Sequence, residues 1–215
     1  YFEIMNNRGE QLEKHEVLKS KMLSIFKEKE KERKVFTKIW DACSDMSRYV
    51  QYGFSTNERD IFFSKNWNKL NLNNFDDILK NFELKESENN TEQNDNTLES
   101  IISKEDKIKI QLDEEKKVSE RFTSPINFQN FLLHVLRIQV MNSEFKEDIT
   151  LDDKRLINSF NKFINHEDFV KEFSFNLLKL RFLFDNYIIK RDYNEHKEDG
   201  KWSLLKAYKY EYKPN

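Results

Sequence analysis

The sequence predicts a mainly α fold: a multi-helix bundle with short β-strands at the N- and C-terminal ends. Three observations lead there. Only three glycines and two prolines occur in 215 residues, too few for a turn-rich β architecture. Apolar residues recur at three- and four-residue steps in several separate windows, the spacing of one buried helix face. Strand signals are read at the two ends of the chain, as a short aromatic and β-branched run at Tyr1 to Met5 and as alternation with a period of two after Gly200. With 37% hydrophobic and 35% charged residues, the chain has both a core to bury and a surface to solvate.

Tyr1 to Met5 is aromatic and β-branched and stops at Asn6-Asn7-Arg8-Gly9, a run that favours turns. It reads as a strand entering a tight loop. From Leu12, apolar residues at Val17, Leu18, Met22, Ile25 and Phe26 predict a helix. Lys27 to Lys34 alternates in sign and has nothing to bury, so it reads as a solvated helix face or connecting turn and not as a nucleic-acid patch. Phe36, Ile39, Trp40, Cys43, Met46 and Val50 then predict a second amphipathic helix, with Cys43 in the core.

Residues 53–84 mix aromatics with Asn and Asp, and only Phe75 to Leu84 carries a short helical pattern. Residues 85–97 contain no large apolar group, so ordering them would cost conformational entropy with no burial to offset it. A disordered insertion is expected there. Ser124-Pro125 precedes a helix through Phe128, Phe131, Leu132, Val135, Leu136 and Gln139. Thr150 and Asp153 suggest a cap for a helix through Leu156, Ile157, Phe160 and Phe163. The most apolar segment, Phe169 to Ile189, predicts the most buried helix, with Phe173, Leu177, Leu180, Phe184, Tyr187 and Ile188 on one face. After Gly200, Trp202, Leu204, Tyr208, Tyr210 and Tyr212 fall on even positions and predict a half-buried strand, returning to a sheet with Tyr1 to Met5. The predicted organisation is 1–26 as the end of a strand, loop and helix unit, 27–84 as a helical region, 85–100 as the insertion, and 101–215 as a second helical region ending in a strand.

Charge narrows the function. The 37 basic and 39 acidic residues leave a formal charge of −2, so no global field draws the chain to DNA or to a membrane surface. No stretch approaches the roughly 20 apolar residues of a membrane span, and no signal peptide opens the chain. The single cysteine excludes an internal disulfide and fits a reducing cytoplasm. His15, His134, His166 and His196 share no spacing and have no matched nucleophile, which argues against a catalytic triad or metal pair. Asp76-Asp77 and Asp152-Asp153 are read as helix caps, because adjacent carboxylates on a helix diverge. Lys190-Arg191, with Lys179, Arg181 and Tyr187, can be read as a small basic face or as charges at a helix end. Tyr208, Tyr210 and Tyr212 can stack bases or simply cover one face of a strand.

Phe2 to Leu12 follows the pattern Phe-x-x-x-Asn-x-Arg-Gly-x-x-Leu, and Leu18 and Lys19 lie in the helix after it. In this the chain resembles the N-terminal domain family of GmrSD-type restriction endonucleases. Ile39 to Cys43, Phe131 to Arg137, Leu151 to Lys154 and Trp202 to Leu204 are similar to later phrases of that family. The resemblance implies a ParB- and sulfiredoxin-like nucleotidase fold and nucleotide-dependent restriction of foreign or modified DNA. It also implies a nucleoside triphosphate with a divalent cation as cofactor of the full-length parent, and a nuclease domain or subunit as partner. The family's Asp-Gly-Gln-Gln-Arg motif, central to hydrolysis, is absent here, so the chain reads as an interior or C-terminal fragment that binds no nucleotide alone. Glu13 and Glu16 stand where the family commonly has a Ser or Thr cap and an Asp.

The residues of the loop fit a phosphate-handling role on physical grounds. Gly9 can turn sharply and bring backbone N–H groups to an anion. Arg8 offers a planar fork to a phosphate, and Asn6 an amide donor and acceptor. Asn6, Arg8 and Gly9 are thus the candidate phosphate-binding residues. The same three also make an ordinary turn with Arg8 paired to a carboxylate, and both readings stand. A non-enzymatic helical module that binds a protein or nucleic acid is the alternative for the whole chain.

Overall fold

The computed structural model describes residues 13–64, 66–82, 122–144, 147–192 and 202–203. The helices in this part are α1 (Lys14–Leu23), α2 (Glu30–Ser44), α3 (Thr56–Phe63), α4 (75–82), α5 (Phe128–Asn142), α6 (Leu156–Phe160) and α7 (Glu167–Tyr187), joined in places by single 3-10 turns. The protein is mainly helical, as the apolar periodicity predicts. The expected N-terminal strand, the Asn6 to Gly9 loop and the insertion at 85–100 lie outside the described residues, as does the aromatic series from Tyr208 to Tyr212.

α1 begins two residues after Leu12 and buries Leu18 and Met22 before tightening into the 3-10 turn Ser24–Phe26. No side chain caps its start at Glu13. Lys29, just beyond, reaches Glu167 at the start of α7 at 2.6 Å, and Lys171 holds the same carboxylate from one turn along at 2.8 Å. Hydrogen bonds from Lys171 and then Lys29 keep the Glu167 carboxyl below its ordinary pKa.

α2 is the central element and packs on α7. Its buried Phe36, Ile39, Trp40 and Cys43 follow the predicted stripe, and Val35 and Ala42 are buried beside them. The helix stops at Ser44, however, short of the expected Val50. Met46 lies in the connecting turn, and Val50 opens a 3-10 turn, Val50–Gly53. That turn is pressed onto α2 so closely that a Cβ on Gly53 would lie 2.3 Å from the Ala42 Cβ. Only glycine fits this approach.

α3 falls in the stretch with no clear periodicity. Its start is fixed by a capping box, in which the Glu58 carboxylate accepts from the Ser55 N–H at 2.6 Å. After α3 the chain takes two left-handed residues, Ser64 and Trp67, at φ 64° and 54°. Trp67 folds back edge-on to Tyr52, with ring centroids 5.5 Å apart. At α4 the Asn74 side chain accepts from the Asp77 N–H, so the cap is Asn74, and Asp77 itself accepts from Asn73.

The second half closes the core. Asn127 caps α5 by accepting from the Asn130 N–H at 2.8 Å. Asp152 starts the 3-10 turn Asp153–Arg155, accepting from Lys154 at 3.0 Å, so the cap lies there and not at Thr150. α6 is five residues long, and Phe163 lies in the turn beyond it. α5 and α7 lie against each other, and edge-to-face aromatic pairs knit the layers, among them Trp40 on Phe128 and Phe160 on Phe173.

A small antiparallel sheet crosses the end of α7. Its order is β1 (Phe122–Thr123), β2 (Lys190–Asp192), β3 (Trp202–Ser203). Phe122 pairs with Asp192, and Lys190 with Ser203. Trp202 is in a strand, as its alternation suggests, and its neighbour is the segment just after α7. The Phe122 N–H also donates to the Ser47 carbonyl at 2.9 Å, which ties the sheet to the turn after α2.

Candidate functional site

The last two turns of α7 carry opposite chemistry on opposite sides. Arg181 and Asp185, four residues apart on one face, are wholly buried against the end of α2 and the turn that follows. The Arg181 guanidinium binds the Asp185 carboxylate and donates to three backbone carbonyls: Cys43 at 3.3 Å, Asp45 at 2.9 Å and Arg48 at 2.7 Å. The other Asp185 oxygen accepts from the Val50 N–H at 2.7 Å. Burial pushes the Asp185 carboxyl above its ordinary pKa, opposed by Arg181, the Val50 N–H and Lys190.

Lys190, buried in β2, completes this corner. Its ammonium donates to the carbonyls of Phe184, Asp185 and Ile188 at 3.4, 2.5 and 3.0 Å, supplying donors to the end of α7. The rings of Phe122, Tyr49 and Phe184 surround it at 5.2, 5.7 and 5.9 Å. Burial lowers its pKa to about 8, against the pull of Asp185. The depressed value is that of a reactive amine, but the geometry is not: the ammonium is directed at carbonyl oxygens.

A second arginine repeats the device. Arg59 of α3 donates from Nε to the carbonyls of Gln51 at 2.9 Å and Phe54 at 2.8 Å. Its guanidinium lies 5.3 Å from the Tyr52 ring and 5.4 Å from that of Trp67. Irregular backbone between α2 and α3 thus finds in two buried guanidinium groups the donors that helix or sheet would otherwise supply. The cations have a structural task, and the proposed basic face of Lys190 and Arg191 with Arg181 loses two of its members to the interior.

The opposite side of α7 is an apolar groove of about 440 Å³ shared with α5. Phe131, Val135 and Ile138 form one wall and Leu183, Phe184 and Tyr187 the other, while Pro125 and Ile188 also line it. Its lining includes no Asp, Glu, Lys or Arg. Tyr187 is 68% exposed and Ile188 40%, although the sequence pattern puts both on the buried face. The periodicity registers Phe184 of α7 as buried but cannot tell that Arg181, three residues before it, is also turned inward.

Elsewhere the described surface is mixed. A depression of about 890 Å³ along the sign-alternating run has Lys27, Arg33, Lys34 and Lys38 beside Glu28, Glu30 and Asp41. Lys34 pairs with Glu30 at 3.1 Å and Lys38 lies 3.8 Å from Glu58, so the cations do not form a one-sign field. Cys43 is buried, and burial raises its thiol pKa far from thiolate chemistry. His15 lies between Glu13 and Glu16 and edge-on to Phe128, His134 borders the groove, and His166 precedes α7. Among the described residues, no group of three His, Cys, Asp or Glu side chains could hold a metal ion. None of the described helices is long and apolar enough to cross a membrane. The candidate phosphate-binding residues Asn6, Arg8 and Gly9 lie outside the described residues.

No family model, curated protein or solved structure matches the chain.

Proposed function

We propose that this chain belongs to a nucleotide-hydrolysing, DNA-targeting defence protein of the GmrSD type, working in a reducing cytoplasm. In this reading Asn6, Arg8 and Gly9 handle phosphate, and the helices from α1 onward are the scaffold that holds their loop. The observation that carries the reading is the run Phe2 to Leu12, with its Asn-x-Arg-Gly core, leading into a helix. Its support is local: α1 starts at Lys14 and anchors itself through Leu18 and Met22, as a loop of this kind requires of the helix behind it. Among the described residues, Arg181, Arg59 and Lys190 are directed at backbone carbonyls and serve the scaffold. Hydrolysis, the divalent cation and the DNA contacts then belong to the full-length parent and its nuclease domain or subunit.

The test is nucleoside triphosphate hydrolysis by the natural full-length polypeptide, compared with its Arg8→Ala variant. A fall of tenfold or more is expected, because a charge-assisted fork on phosphate is lost. Unchanged turnover removes Arg8 from the site and with it the main support for the reading. The isolated 215 residues are expected to show no hydrolysis.

The groove between α5 and α7 favours a second reading, a helical interaction module with no reaction of its own. An uncharged apolar surface of this kind is a common seat for a partner's apolar face. Loss of partner capture in an Ile138→Glu variant, together with no hydrolysis by the natural full-length polypeptide, favours that reading.

A further inference from the structure

We draw no further inference here: the strongest candidate, the uncharged apolar groove between α5 and α7, is an unpartnered surface, and nothing in the structure shows what covers it.

Discussion

The two sides of α7 near its C-terminus reverse the arrangement usual for a helix at a protein surface. The side turned to the core has Arg181 and Asp185 in it, and the side turned to solvent has Leu183 and Tyr187. Burying a charged pair costs several kcal/mol of desolvation per ion, so the inward side is stable only because each charge is met. The outward side leaves apolar area in water, which is mild for single residues and notable only when they border one groove. The contrast separates two kinds of feature. The charged corner is buried, whereas the groove is open to solvent along Ile138, Leu183 and Tyr187.

The largest expected effect lies at the corner. Arg181→Met strands the buried Asp185 carboxylate and leaves the carbonyls of Cys43, Asp45 and Arg48 without their donor, at a cost of about 3–5 kcal/mol in urea unfolding. Adding Asp185→Leu should return at least about 1 kcal/mol, because the stranded charge is then gone. If nothing returns, the Val50 N–H left without its acceptor costs as much as the stranded carboxylate did. A cost below about 1 kcal/mol for the single variant breaks the comparison.

Lys190 gives the next effect, read as pH dependence. Its folded pKa of about 8 lies below the ordinary 10.5, so between those values the unfolded chain holds a proton that the folded one lacks. Lys190 should therefore add about 1–3 kcal/mol of stability from pH 8 to 10.5, partly offset above pH 9 because the buried Cys43 thiol keeps a proton that the unfolded chain gives up, while below pH 8 the whole burial penalty of Lys190 is present. Lys190→Met should remove that rise relative to the parent chain. An equal rise in both proteins would place the titration elsewhere.

The smallest effect belongs to the groove. Tyr187→Glu and Ile138→Glu should each move the unfolding free energy by no more than about 0.5 kcal/mol, since both side chains are already exposed. Binding of an apolar fluorescent dye should fall in the same variants. A destabilisation near that of Arg181→Met would show that the groove is packed in solution and would erase the distinction between the two sides.

Much of the helical frame was legible in the sequence, and the misses share a cause. The stripes from Leu12, Phe36, Phe128 and Phe169 locate α1, α2, α5 and α7 because apolar spacing alone decides those elements. Polar side chains settle the rest. α2 ends at Ser44, where Arg181 takes over the Cys43 carbonyl, a contact 138 residues away in sequence that no local pattern contains. α3 was missed although its signal was present: Ser55 and Glu58 have the spacing of a capping box, masked by the aromatic and polar mixture around them. Arg181 and Lys190 look like surface charges in the sequence, because residues of their type are rarely buried and their carbonyl partners carry no sequence signature. The candidate site was legible as a motif only, since Asn6, Arg8 and Gly9 could be named from their order but their surroundings could not.

Cys43 gives the buried corner a practical use. It is the chain's one thiol, it has no exposed surface, and it lies on the helix whose last carbonyls Arg181 holds. An alkylating reagent can reach it only when α2 and α7 part, so the labelling rate acts as a clock of that separation. The clock needs no engineered probe, and a ligand that tightened the bundle would slow it from a distance.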